Sequence, residues 1–290
     1  MKKSILAVAV VLGATATFAQ DLTSKKGETY LPEAGDWAIG VDATPFLNYF
    51  GNLIGGNDGN TAPTWNYLTN NQTITGKYFV EDDMAYRASL RIGFGSNKSA
   101  AMVGDDAVTV APTYPALPSM VEDSYKAGAT NIGLAVGLEK RRGFGRLQGF
   151  YGAELGFNIM STKDSYTYGN AMTITGATTN DFGSNLTTDT YGNAARITES
   201  KSGTTFGLGL RGFIGAEYFV LPRLAIGGEF GWGLGFVSQG AGMTTLESTD
   251  GVSVATQEIE GSKSSSFGVD TDMNNSVFGP AGSLRMTFHF

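Results

Sequence analysis

The side chain best suited to acid–base chemistry occurs once in the chain, as His289, next to the C-terminal residue. Acid–base and nucleophilic sites use histidine more often than any other side chain. His289 lies in a segment of alternating apolar and polar residues, so we expect a rim residue on a polar strand face rather than a catalytic group. The sequence therefore predicts no catalytic residue, and we expect a protein that is not an enzyme.

Two short motifs could in principle bind a ligand. Asp270, Asp272 and Asn274 have calcium-loop spacing, but Asn275 stands where such a loop needs glycine and no glutamate occupies its twelfth position. The glycine-rich run Gly207–Gly212 lies within a predicted strand, and no helix follows it as a phosphate-binding loop requires. The absence of cysteine excludes disulfides and thiolate chemistry. We therefore expect neither a metal nor a cofactor.

The remaining candidates are charged side chains on the polar faces of predicted strands. They are Asp42, Lys77, Arg87, Arg91, Glu139, Arg141, Glu154, Arg211, Glu217, Glu229 and Arg285. Their signs are nearly balanced, and an unpaired charge in a narrow interior is costly whereas a hydrogen-bonded network is tolerated. The sequence therefore predicts a network of ion pairs inside the fold.

The longest element that could position these charges runs from Thr205 to Phe236, with a turn at Leu221–Arg223. Alternate residues are apolar along both arms, which indicates two β-strands with one apolar and one polar face. Strands of a soluble sandwich are usually shorter. Apolar residues outside, polar residues inside and aromatics near both strand ends are typical of a membrane-spanning β-barrel.

The same pattern returns in two more predicted hairpins, Thr73–Gly95 and Asn131–Met160. A first strand is predicted over Asp36–Tyr49, where Pro45 should cause a bulge or an early end. A last strand is predicted from Val277 to the C-terminus. Together these segments predict an all-β fold, a closed antiparallel up-and-down transmembrane barrel of eight strands.

Polar segments rich in Thr, Ser, Asn and Gly separate the hairpins. They are predicted as four long extracellular loops at residues 50–71, 96–129, 161–203 and 238–275, opposite three short periplasmic turns. Outward aromatic residues should mark the membrane interfaces. These are Trp37, Tyr78, Tyr86, Tyr218 and Phe288 on the periplasmic side, and Tyr49, Phe94, Phe157 and Phe236 on the outer side.

The N-terminus has the composition of a secretory signal peptide. Lys2 and Lys3 precede a short apolar run, and small residues lead to Ala19, so residues 1–19 are predicted to be cleaved. Residues 20–35 then form a periplasmic lead, and residues 36–290 form the barrel with its loops. No run is long enough for a transmembrane helix, and a net charge of -7 disfavours nucleic acid as a partner.

The signal peptide, the alternating hairpins and the final strand resemble the small eight-stranded outer-membrane barrels of Gram-negative bacteria, the outer-membrane protein X, W and A type. In that family an aromatic C-terminus after alternating apolar residues is the signal that the barrel-assembly machinery reads. The resemblance implies this role for Leu284, Met286, Phe288 and Phe290. It also implies location in the outer membrane, in contact with lipid.

Three functions are compatible with these features. The first is a structural or binding role through the surface loops, including that of accessory subunit in a larger outer-membrane complex. The second is a small pore or conduit for small or apolar solutes, and the third is a lipid- or peptide-modifying enzyme. Glycines toward the outer strand ends could line a vestibule above a charged plug, or they could relieve strand curvature or make room for loop residues.

Overall fold

The fold is described from a computed structural model, which covers residues 22–56, 74–110, 112–176, 180, 185–271 and 283–290. The protein is all-β: strand accounts for 67% of the described residues and helix for 5%. Thirteen strands pair in one antiparallel sheet. The predicted signal peptide, residues 1–19, lies outside the described residues, as does most of the calcium-like motif.

The described strands and the one described helix are numbered in chain order. They are β1 (Trp37–Asp42), α1 (Thr44–Gly55), β2 (Ile74–Glu81), β3 (Met84–Gly104), β4 (Met120–Phe144), β5 (Leu147–Thr167), β6 (Leu186–Thr188), β7 (Ala194–Lys201), β8 (Thr205–Leu221), β9 (Leu224–Gln239), β10 (Met243–Thr249), β11 (Val254–Glu260), β12 (Ser264–Thr271) and β13 (Ser283–His289).

Eight of these strands pair in succession, in the order β1, β2, β3, β4, β5, β8, β9 and β13, and β13 in turn pairs with β1. Tight turns join β2 to β3, β4 to β5 and β8 to β9, where the sequence predicts turns. All three turns lie at the same end of the sheet, which we call the turn end. The strands therefore run between a turn end and a far end.

The other five strands lie toward the far end. β7 pairs with the last residues of β5 and with β10, β10 pairs with β11, β6 pairs with β7, and β12 pairs with β9. These strands fall in segments 161–203 and 238–275, for which the sequence predicts loops. β3 and β4 likewise pair without a register shift as far as Gly104 and Met120, well inside the predicted loop 96–129. The backbone hydrogen bonds between β3 and β4 continue within this predicted loop, although apolar and polar residues no longer alternate along it.

The first predicted strand is correct only in its first half. β1 ends at Asp42, and a helix replaces the predicted strand over residues 44–49 and the predicted loop over residues 50–55. Pro45 lies in the first helical turn, where its missing N–H costs nothing, and Gly56 ends the helix with a left-handed φ of 69°. Among the described residues, no helix combines the length and apolar character needed to span a membrane.

An N-terminal segment, residues 22–36, covers the turn end. Tyr30 is buried against Phe219 and Ala225, and its carbonyl accepts a hydrogen bond from the Arg223 backbone N–H. The Ala34 backbone N–H donates to the Asp82 carboxylate in the β2–β3 turn at 2.9 Å. Tyr30 also contacts Arg146 in the β4–β5 turn, so the segment predicted as an irregular lead is packed onto all three hairpin turns.

Candidate functional site

The sheet has charged side chains on its buried face and large apolar side chains on its exposed face. On β3, Arg87 and Arg91 are 3% and 7% exposed, whereas Tyr86, Leu90 and Ile92 are 54%, 44% and 54% exposed. The other long strands repeat this distribution. A water-soluble protein normally has the opposite arrangement, because burying charge costs free energy and burying apolar surface gains it.

Four of the buried charges form a layer near the turn end, the turn-side layer. Its members are Lys77 on β2, Glu139 and Arg141 on β4, and Glu217 on β8. The Lys77 ammonium lies 2.7 Å from Glu139 and 3.9 Å from Glu217. The Arg141 guanidinium contacts both carboxylates, with its Nε 3.2 Å from Glu139. Because β2 and β8 are not neighbours in the sheet, the layer crosses the space enclosed by the strands.

Five more charges form a far layer next to the first: Arg87, Glu154, Arg211, Glu229 and Arg285. Arg87 holds Glu229 with two hydrogen bonds of 2.5 and 3.0 Å, the fork geometry favoured by guanidinium and carboxylate. Arg211 lies 2.9 Å from Glu154 and 2.7 Å from Glu229, and Arg285 lies 3.9 Å from Glu229. Arg87 is also 3.7 Å from Glu139, so the two layers form one ion-pair cluster.

Aromatic rings fill the spaces between these charges. The Arg87 guanidinium lies 4.3 Å from the centre of the Phe213 ring, and the Lys77 ammonium lies 4.9 Å from that of Phe150. Arg141 lies 4.9 Å from the ring centre of Phe79. Such cation–π contacts stabilise desolvated cations. None of these rings was predicted to face the interior, although each lies an even number of residues from a charged residue on its own strand.

One of the glycines expected to line a vestibule, Gly231, is instead in close contact with the cluster, and Gly152 is similarly crowded. A Cβ on Gly231 would overlap the Arg211 guanidinium. A Cβ on Gly152, closer to the turn end, would overlap the Leu138 carbonyl and lie 2.7 Å from the Phe213 ring. Gly93, Gly156, Gly207 and Gly209 are buried, while Gly95, Gly133, Gly233 and Gly235 are half-buried. One role of the glycines in these strands is therefore to leave space for neighbouring side chains and backbone atoms.

The structure brings together most of the residues predicted for the charge network. Arg87, Glu139, Arg141, Glu154, Arg211, Glu217, Glu229 and Arg285 are in the cluster, with Lys77. Arg91 is buried four residues beyond Arg87 on the same face of β3. Asp42 lies apart: its carboxylate accepts a 2.8 Å hydrogen bond from the Thr44 backbone N–H at the start of α1. Among the described residues Asp42 forms no ion pair.

His289 faces the same side as the charges but is buried rather than at an open rim. Its ring lies between Phe79 and Phe219, with centroid distances of 5.6 and 5.1 Å, and its Nε2 is 4.0 Å from Glu217. Only 4% of the residue is exposed. A substrate would have to displace the surrounding rings to reach this imidazole.

The apolar residues of the last strand face away from the buried charges. Leu284, Phe288 and Phe290 are 44%, 45% and 58% exposed, and Met286 is half-buried. The backbone N–H and C=O of Phe290 pair with those of Trp37, at 2.9 Å in both directions. The C-terminal residue is thus joined to the first strand.

A cavity of about 240 Å³ separates the N-terminal segment from the cluster. Leu22, Leu31 and Pro32 line its outer side, and Arg141 and Gln148 line its inner side. Gln148 donates a 2.9 Å hydrogen bond to the Gly145 carbonyl in the β4–β5 turn. Among the described residues, no group of three or more His, Asp and Glu side chains is placed to hold a metal ion.

Fold and site define an all-β antiparallel protein whose sheet encloses ion pairs and exposes apolar side chains. Sequence comparison gives no match to a protein-family model and none to a curated protein. The function of this protein is therefore inferred from the geometry of this chain alone.

Proposed function

We propose that the eight successively paired strands form a closed transmembrane barrel in the outer membrane of a Gram-negative bacterium. One observation carries the proposal: the strands bury their charges and expose their large apolar side chains. Lipid is the solvent in which that distribution is stable, because the hydrocarbon region favours apolar surface and requires every backbone polar group to be paired. The pairing of β13 with β1 leaves no open edge among these eight strands at the turn end.

The dimensions of the exposed apolar surface fit a bilayer. Between Tyr86 and Phe94, strand β3 rises about 27 Å along its own direction, or about 20 Å along the barrel axis for a strand tilt of about 40°. Transmembrane barrels have an apolar band about 25 Å tall, flanked by aromatic residues. The Trp37 and Tyr78 rings contact each other near the turn end, with centroids 4.8 Å apart and planes tilted by 46°, as expected for one interface. We call the exposed apolar residues between these limits the apolar belt.

The interior supports a structural or binding role more than a pore. An eight-stranded barrel has room for side chains or one small ligand, and here two layers of ion pairs and several phenyl rings occupy the enclosed space. This filling disfavours the alternative of a conduit for small or apolar solutes. The third alternative, an enzyme, would need a reactive group accessible to substrate, and His289 is enclosed by rings.

The strands that continue beyond the apolar belt supply the binding surface. The far parts of β3, β4 and β5, together with β7, β10 and β11, form a sheet that we call the far sheet. We propose that the barrel is a rigid, non-enzymatic scaffold that displays the far sheet and its turns at the cell surface, including within a larger outer-membrane complex. Insertion by the barrel-assembly machinery would use Leu284, Met286, Phe288 and Phe290.

Single-cysteine labelling tests this topology, because the chain contains no cysteine of its own. Val252→Cys at a far-end turn should react with a membrane-impermeant maleimide on intact cells. Asp83→Cys at the turn end should react only after the outer membrane is permeabilised. The reverse pattern would show an inverted barrel, and recovery of the protein in the soluble periplasmic fraction would refute the membrane assignment.

A further inference from the structure

The turns of the far sheet meet at one end of the molecule. Residues 169–176 bridge them: the Asn170 side chain donates to the Gly104 carbonyl at 2.8 Å and accepts from the Asp106 backbone N–H at 3.0 Å. The Thr249 hydroxyl donates to the Ile174 carbonyl at 3.1 Å. These bonds join the end of the β3–β4 hairpin to the end of β10. We call the turns 105–119 (apart from residue 111, which the structure does not describe), 189–193 and 250–253 and the bridging segment the tip.

The tip exposes large apolar side chains. Val110, Tyr114 and Leu117 in the β3–β4 turn are 77%, 98% and 87% exposed, and Tyr191 and Val252 in the other two turns are 82% and 83% exposed. Single exposed apolar residues are normal on protein surfaces, but a group of this kind at one end marks an interaction surface. Tyrosine and leucine side chains of this size bury substantial area on contact.

The membrane that holds the barrel cannot cover these residues. From Phe94 at the outer edge of the apolar belt to Gly104 at the tip, β3 rises about 34 Å along its own direction. With a strand tilt of about 40°, the tip is about 26 Å beyond the hydrocarbon region. The apolar side chains of the tip are therefore separate from the apolar belt.

All charged residues in the tip turns are acidic. The sequence of turns 105–119, 189–193 and 250–253 contains Asp105, Asp106, Asp189 and Asp250 and neither lysine nor arginine. Asp106 and Asp250 are exposed and Asp105 is half-buried, whereas Asp189 is buried. Hydrogen bonds from the backbone N–H groups of Ser253 and Val252 hold the pKa of Asp250 below its ordinary value, so this carboxylate is charged at neutral pH. The tip thus combines apolar side chains with a purely negative rim.

We propose that the tip is a docking surface for a second, different protein, whose contact face has an apolar pocket bordered by lysine or arginine. The negative rim selects against lipid headgroups and lipopolysaccharide, which carry phosphate. It also selects against a second copy of this chain, because a two-fold contact between tips would place like charges opposite each other. The inference rests on the proposed outward orientation of the far end.

In-cell photo-crosslinking at Leu117 tests the proposal. A photoreactive amino acid at this position should form an adduct with a different protein in intact cells. Asp105→Lys combined with Asp106→Lys should reduce the adduct roughly tenfold, because like charges then face the partner's basic border. Glu258→Lys combined with Glu260→Lys makes the same change of charge on the exposed part of β11 and should leave the adduct unchanged. The purified pair should also bind less tightly as salt concentration rises.

Four outcomes would overturn the docking surface: no adduct, an adduct with lipopolysaccharide or lipid alone, an adduct with a second copy, or an adduct insensitive to Asp105→Lys with Asp106→Lys. Maleimide labelling of Lys263→Cys in the same cells separates this failure from failure of the proposed function, because Lys263 is exposed between β11 and β12, outside the tip. A labelled Lys263→Cys protein that forms no protein adduct at Leu117 refutes the docking surface only. An unlabelled Lys263→Cys protein refutes the outward topology itself.

Discussion

At the scale of single residues, each carboxylate of the ion-pair cluster is shared by at least two cations. Glu229 contacts Arg87, Arg211 and Arg285, and Glu139 contacts Lys77, Arg87 and Arg141. Burying a charge costs free energy because its hydration is lost, and a single buried ion pair often does not recover this cost. A carboxylate shared by several cations offsets it better. The cluster therefore depends on having all its members present at once.

Replacing Glu229 by glutamine should destabilise the protein strongly. Glu229→Gln keeps the side-chain shape but removes the carboxylate that Arg87, Arg211 and Arg285 all contact, and we expect a loss of about 3 kcal/mol in the free energy of unfolding. Urea unfolding in detergent micelles, followed by tryptophan fluorescence, measures it. The matched control is Glu260→Gln, whose exposed pair with Lys263 (3.5 Å) should contribute less than about 0.5 kcal/mol. Equal effects of both changes would contradict the role of the cluster.

The partners within the cluster could not be predicted from the sequence, whereas its members largely could. Period-two alternation places Arg87 and Glu229 on the polar face of their strands. Their pairing joins residues separated by 142 positions, and it depends on how the strands are staggered around the sheet, which no local pattern encodes. Phe150 and Phe213 were not predicted to face the interior, because an aromatic ring at a polar-face position breaks the alternation of apolar and polar residues.

At the scale of elements, the short turns and the strands next to them were predictable, and the far ends were not. The alternation of apolar and polar residues stops near Phe94, yet β3 continues to Gly104. In the proposed barrel this part of β3 lies outside the hydrocarbon region, where both strand faces can be polar while the backbone hydrogen bonds persist. The helix after Asp42 was missed because Pro45 was interpreted as a strand breaker alone. Its place in the first turn of a helix is the other common use of proline.

The N-terminal segment should detach when its buried aromatic anchor is removed. Tyr30 packs on Phe219 and Ala225, and the Arg146 guanidinium lies 3.8 Å from its ring centre. Tyr30→Ala should cost about 3 kcal/mol locally and speed trypsin cleavage after Lys25 and Lys26 in detergent-solubilised protein. Tyr114→Ala, which removes a ring that is 98% exposed, is the control and should leave cleavage unchanged. An unchanged cleavage rate in Tyr30→Ala would show that backbone hydrogen bonds alone hold the segment.

The junction of β5 with β7 should loosen in acid. Hydrogen bonds from Lys163 (2.7 Å) and Lys201 (3.2 Å) lower the pKa of the Glu199 carboxyl from its ordinary value of 4.5, although burial opposes this. Because the folded-state pKa is the lower one, the stabilisation is complete above about pH 4.5 and is lost as pH falls through the folded-state pKa. The protection of the β7 amides against hydrogen exchange, measured relative to the intrinsic exchange rate at each pH, should therefore decrease below that pH. Glu199→Gln should remove this pH dependence of the protection, and its persistence in this variant would assign the effect to another group.

At the scale of the whole molecule, the chain separates two tasks along one set of strands. The part near the turn end encloses ion pairs and phenyl rings and is covered by the N-terminal segment. The far part carries a polar sheet and an acidic, apolar tip. Because β3, β4 and β5 run through both parts without interruption, the filled interior holds the far sheet at a fixed position, as a binding scaffold requires.

A filled interior predicts that the protein conducts no ions. Purified protein in a planar lipid bilayer should leave the current at the level of the protein-free bilayer, because two layers of ion pairs leave no continuous water path between the ends. Removing neutral pairs from both layers should create a path without stranding a buried charge. The variant combines Lys77→Ala with Glu139→Ala and Arg211→Ala with Glu154→Ala, which leaves Glu229 with Arg87 and Arg285 and leaves Glu217 with Arg141, and it should raise the current measurably. Lys163→Ala with Glu199→Ala removes an external pair and should not. Channel openings by the unaltered protein would favour the conduit over the scaffold, whatever the variants do.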